Sequence, residues 1–173
     1  MTHLLRMIDR LSRIAETAAV LLLMGYCALM LSEVVARAQA QSFSFTWEFS
    51  QYAMAAVFAL AAGPAIRTGV HVRITLLSAV LSRRARKALD LAANTVAMGV
   101  VALIVLAMWS KVGTSYERNI LATSVTKTPL WIPQAIVLWG FAQLWLDLLA
   151  RAIRVWFEEQ SEWRDADAET ADV

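Results

Sequence analysis

The sequence predicts an all-α integral membrane protein: four transmembrane helices with short interfacial amphipathic helices. Three observations carry that expectation. Of the 173 residues, 59% are apolar and 17% charged, where a soluble domain carries about 45–50% and 25%, so polar surface is too scarce to cover a water-facing globule. Four apolar stretches, 14–35, 47–66, 88–109 and 131–153, are each long enough to cross a hydrocarbon core of about 30 Å at about 1.5 Å per helical residue. Basic residues also alternate between the breaks. Arg6, Arg10, Arg13, Arg67, Arg73, Arg83, Arg84, Arg86, Lys87, Arg151, Arg154 and Arg164 flank one side. Only Arg37, Lys111, Arg118 and Lys127 flank the other. The positive-inside rule then places both termini in the cytoplasm.

Residues 1–13 read as a cytoplasmic amphipathic segment. Leu4, Ile8, Leu11 and Ala15 recur at spacings of four, three and four, while Arg6, Asp9, Arg10 and Arg13 take other faces, the pattern of a helix lying on a leaflet. The first span follows. Ala38-Gln39-Ala40 after it looks like a signal-peptide cleavage site, but the 22-residue apolar run 14–35 exceeds the about 7–15 of a secretory core, so the helix is read as retained. The loop to the second span places Phe43, Phe45 and Trp47 at alternate positions, which suits a membrane interface.

The second span carries Ala55, Ala59 and Gly63 at i, i+4 and i+8, a small-residue stripe that lets another helix approach closely. The break 67–87 holds an apolar stretch, 72–81, too short to span and followed by Arg83, Arg84, Arg86 and Lys87. A horizontal interfacial helix fits, with those cations meeting anionic lipid headgroups. In the third span, Asn94 and Thr95 are able to hydrogen-bond across helices. The break 110–130 is polar and closes on Thr128-Pro129, with Pro133 in the first turn of the fourth span, where proline is tolerated. The four-helix domain therefore covers 14–157. Residues 158–173, rich in Glu and Asp, read as a disordered cytoplasmic tail.

Ionisable residues inside spans are functional suspects, yet most have a local partner. Glu33 precedes Arg37 by four, Asp147 precedes Arg151 by four, Asp90 follows Arg86 and Lys87, and Glu16 follows Arg13 by three. Such spacings share a helix face and pair. Glu48 differs, because Ser44, Phe45, Gln51 and Tyr52 offer it no cation. Two readings stand: it favours the helix N-terminus, or it meets a donor or cation from another helix or subunit.

Catalytic parts are missing. There is no phosphate-binding loop and no HExxH, and His3 and His71 both lie outside the spans. Cys27 is the lone cysteine, so no internal disulfide or thiolate cluster forms. The expectation is a non-enzyme with no cofactor, no metal and no nucleic-acid partner. An autonomous proton-coupled exporter with Glu33 as carrier, or an assembly subunit of another complex, remain alternatives.

Trp47-Glu48-Phe49-Ser50-Gln51-Tyr52, the small-residue helix after it, Arg67-Thr68-Gly69-Val70-His71-Val72-Arg73 and Thr128-Pro129-Leu130-Trp131-Ile132-Pro133 together resemble the small membrane subunit, or Q subunit, of TRAP (tripartite ATP-independent periplasmic) transporters. Thr75 stands where that family often has an acid. The resemblance implies a small permease subunit in a bacterial inner membrane. It would be a fixed scaffold for a large elevator-type subunit that moves an organic acid on a sodium gradient. A periplasmic substrate-binding protein would deliver the substrate. It makes Glu48, Arg67 and His71 partner-interface candidates, alongside Ala55, Ala59 and Gly63 from the stripe.

Overall fold

The computed structural model describes residues 2–67, 83–124 and 126–171, with side chains over 5–66, at 85, and over 88–124 and 126–154. Four helices form: α1 (Thr2–Ala38), α2 (Thr46–Arg67), α3 (Arg83–Glu117) and α4 (Trp131–Ala171). Each contains a stretch long and apolar enough to cross a membrane, as it must where only a helix can satisfy its own backbone in lipid. Among the described residues the only strand-like pairing is one bridge, Leu121 to Pro129.

α4 is the central helix. It packs on α1, α2 and α3; α1 and α2 also pack on each other, and α3 leans chiefly on α4. The core is thin. Ala15, Ala19 and Leu60 bury against Ile136 in one cluster, and Val101, Leu144 and Leu148 gather Ala62, Ile66 and Val105 in the other. Only 11% of the apolar windows of α1 and α3 is buried, against 28% and 33% for α2 and α4. α1 and α3 are therefore peripheral helices whose apolar sides face lipid or another protein.

Caps end the helices where the sequence changes character. At the end of α1, Gln41 and Ala40 donate back to Ala36 and Arg37 at 3.0 Å each, with Ala40 at φ 56°. At the end of α3, Ile120 and Asn119 donate to Ser115 and Tyr116 at 3.0 and 3.2 Å, with Asn119 at φ 49°. Both are Schellman closures, in which a left-handed residue returns the last amides to orphan carbonyls.

Three expectations change. The N-terminal segment is not a separate leaflet helix: α1 runs unbroken from Thr2, and Ile8, Ser12 and Ala15 are buried in the bundle. The face that packs in the bundle is Ile8, Ser12, Ala15 and Ala19, whereas Leu11 of the expected apolar stripe stays 37% exposed. The third span runs on to Glu117, so the loop after it begins eight residues later than expected. The backbone of α4 continues through Ala171, where a disordered tail was expected. Extending an existing helix avoids the nucleation cost, and no Gly or Pro interrupts residues 154–171. The segment 72–81 and His71 lie outside the described residues, as do the side chains of Arg67, Arg83, Arg84, Arg86 and Lys87.

Candidate functional site

Two buried carboxylates organise the end of the bundle that carries the α1–α2 and α3–α4 loops. Glu33, 5% exposed, accepts from Arg37 Nε at 2.8 Å, from the Phe43 amide at 3.1 Å and from Thr46 Oγ1 at 2.9 Å. The local pair with Arg37 is as the spacing required. The same carboxylate also fastens the loop and the first residue of α2, which no spacing rule exposes. Because Arg37 is 70% exposed, the ion pair itself adds little; the two loop donors are the larger contribution.

Glu48, 7% exposed, has no cationic partner among the described residues. Tyr52 Oη donates to it at 2.9 Å from one turn on, and the hydroxyls of Ser124 and Thr126 both donate to Oε2. Its donors thus come from its own helix and from the α3–α4 loop of the same chain. That loop is a hairpin. Ala122 donates to Thr128 at 2.9 Å and Leu130 to Ile120 at 3.1 Å, and the clasp on Glu48 lays the hairpin over the start of α2. Phe43, Phe45, Phe49 and Tyr52 form a chain of ring contacts beside it. Tyr116 meets Trp131 edge-on at 5.6 Å at the foot of the hairpin, the amphipathic rings that mark a membrane–water boundary.

The small-residue face of α2 packs inside the chain. Ala59 is fully buried, and a Cβ placed on Gly140 of α4 would lie 2.6 Å from the Ala59 carbonyl carbon. Gly63 gives room to the carboxylate of Asp147. Ala55, expected in this stripe, is exposed instead; Ala56, 3% exposed, joins Ala59 and Gly63. Steps of four drift by about 40° each around a helix of 3.6 residues per turn, so a stripe centred on Ala59 and Gly63 loses Ala55.

Polar ties continue toward the termini. Gln143 Nε2 donates to Asp147 Oδ1 at 3.3 Å and to the Ile8 carbonyl at 3.5 Å, joining α4 to α1. Asn94 Nδ2 donates to the Leu148 carbonyl at 3.2 Å across α3 and α4, whereas Thr95 bonds back to Leu91 in its own helix. Arg154 meets Asp9 at 2.7 Å, and Arg151, expected to serve Asp147, reaches Asp90 at 3.8 Å. Sequence reasoning missed Ser12, Gly140, Gln143, Ser124 and Thr126. The i, i+4 spacing of Gln143 and Asp147 and the lone glycine of the fourth span were the available signals.

Among the described residues, no group of three or more His, Cys, Asp or Glu side chains is placed to hold a metal. A protein-family model described as "Tripartite ATP-independent periplasmic transporters, DctQ component" matches residues 26–158. A search of curated proteins finds no match.

Proposed function

Because this chain belongs to the DctQ component family of tripartite ATP-independent periplasmic transporters, we propose that it is the small permease subunit and serves as a non-catalytic scaffold. In this reading it braces a large elevator-type subunit in the bacterial inner membrane. The assembly takes up an organic acid on a sodium gradient, the acid being delivered by a periplasmic binding protein. Both termini face the cytoplasm, so the end that carries Glu33 and Glu48 faces the periplasm.

The observation that supports the scaffold role is where the buried acids are used. Glu33 and Glu48 fasten loops to helix starts, and Asp147 engages Gln143 beside Gly63. These are ties that fix helices against one another. A proton carrier needs a carboxylate that exchanges with both sides, and Glu33, engaged by an arginine and two loop donors, is poorly suited to that. The exposed apolar sides of α1, with Val20, Leu21, Met24 and Leu31, and of α3, with Val96, Val100, Leu103 and Leu106, leave ample area for a large membrane partner. The cations at Arg83, Arg84, Arg86 and Lys87 suit lipid headgroups, and Arg67 and His71 suit a cytoplasmic-side anchor to that partner.

Reconstitution tests the proposal. Proteoliposomes holding this chain alone show no organic-acid uptake under a sodium or a proton gradient. Uptake appears when the large subunit, the binding protein and inward sodium are supplied together. Transport by the lone chain overturns the scaffold reading.

A further inference from the structure

One long face of α1 points away from the bundle. Ile8, Ser12, Ala15 and Ala19 are buried. At about 100° per residue, Arg10 and Arg13 fall on the opposite side of the helix, where both are exposed. Neither makes an ion pair or a side-chain hydrogen bond among the described residues. Asp9, the acid next to Arg10, is engaged by Arg154 of α4. Glu16, which the spacing assigns to Arg13, does not pair with it.

Further along the helix the same face turns apolar. Val20, Leu21, Met24 and Leu31 are 55–67% exposed. Their depth matches a single leaflet. Arg13 and Glu33 are twenty residues apart, about 30 Å along the axis, which is the thickness of a hydrocarbon core. With Glu33 at the edge that carries the loops, Arg13 stands at the other edge. Arg10, about one turn further out, reaches the level of the lipid phosphates. Met24, eleven residues from Arg13, lies about 16 Å in, roughly one leaflet deep.

We propose that this outward face of α1 is a binding site for one anionic phospholipid, its phosphate held by Arg10 and Arg13 and an acyl chain lying along Val20, Leu21 and Met24. Two cations without a protein partner, heading an apolar column one leaflet long, have the layout of that ligand. The guanidinium offers phosphate a planar fork of donors, and a basic side chain at a membrane surface attracts anionic lipid over neutral lipid. A zwitterionic headgroup carries the same phosphate, but its own cation offsets the charge. A helix of another protein fits the apolar column, yet it must also bring acids to both arginines, at a level where lipid phosphate already stands. The site does not depend on which leaflet is the cytoplasmic one, and it stands apart from the proposed transport role.

The test is native mass spectrometry of the full-length chain in a neutral detergent, titrated with phosphatidylglycerol or with phosphatidylcholine of the same acyl chains. The wild type retains phosphatidylglycerol on the order of tenfold more tightly. Arg10→Gln with Arg13→Gln abolishes that preference, whereas Arg10→Lys with Arg13→Lys keeps most of it, because the charge remains. Helix content by circular dichroism stays as in the wild type; if the glutamine pair loses it, Arg10→Gln and Arg13→Gln taken singly carry the same comparison, each weakening the preference. Equal retention of the two lipids by the wild type overturns the proposal. An unchanged preference in the glutamine variants overturns it too, by assigning the lipid to other cations such as Arg83 and Arg84. Displacement of the lipid by inorganic phosphate shows an anion site without an acyl contact and overturns it equally. Loss of the preference when the wild-type chain is measured within its assembled membrane complex gives this face to a protein partner, which also overturns it.

Discussion

Glu48 shows how one carboxylate can be used without a cation. In bulk water a glutamate gains little from hydroxyl donors, but here it is 7% exposed and accepts from Ser124, Thr126 and Tyr52. Hydrogen bonds to a charged group contribute about 1.5–3 kcal/mol. Glu48→Gln keeps the shape and removes the charge, so the hairpin should loosen while the four helices stay inserted. Trypsin cleavage after Lys127 and Arg118 in detergent is expected to accelerate at least severalfold. Cleavage at the wild-type rate would mean that the hairpin is held by its own backbone bonds. Glu33→Gln acts on the other loop, where the Phe43 amide and Thr46 hydroxyl lose a charged acceptor. The sequence rates Glu33 and Asp147 alike, as locally paired acids. The structure separates them: Glu33 holds a loop, and Asp147 sits where α2 and α4 come closest.

At the scale of elements, the decisive contact is α2 against α4. Its closeness depends on the missing side chain of Gly140, because a Cβ there meets Ala59 backbone and Cβ atoms at 2.6–2.8 Å. Gly140→Ala must push the helices apart, a form of overpacking that costs about 1–3 kcal/mol. Gly25, Gly99 and Gly113 have nothing within 4 Å of such a Cβ, and all three are helical. Alanine there gains helix propensity of about 1 kcal/mol. Thermal unfolding in one detergent should therefore drop for Gly140→Ala and hold or rise for Gly99→Ala. Equal midpoints for the two variants would show that the α2–α4 approach is not tight. Ala59→Leu belongs with Gly140→Ala: since Ala59 is buried within the chain, the variant destabilises the subunit itself.

At the scale of the molecule, four crossings would put both termini on one side, and under the positive-inside rule the arginine and lysine split would make that side the cytoplasm. Reporter fusions after Lys87 are expected to read cytoplasmic, and fusions after Ser42 and Arg118 periplasmic. A periplasmic reading at 87 overturns the orientation. The arrangement also explains why α1 and α3 stay so exposed. α4 is used on three sides by its neighbours, and the small residues facing it leave room for only a thin core. The peripheral helices consequently keep their outer apolar faces for the bilayer or for a larger subunit.

The number and approximate position of the spans follow from the sequence alone, because lipid imposes one rule on every residue of a crossing: apolar outside and backbone bonds closed within the helix. The Glu33–Arg37 pair is legible for a similar reason, being set by helical spacing within a single element. Partners across elements are not. Nothing in residues 47–66 says that Glu48 will meet Ser124 and Thr126, some 76 and 78 positions away, or that Ala59 will meet Gly140. Nor does the N-terminal stripe say whether Ile8 and Ala15 face a leaflet or another helix. An apolar face is satisfied equally well by lipid, by α4 or by another chain. Local periodicity fixes only that the face exists, and which surface covers it is settled by the packing of all four helices together.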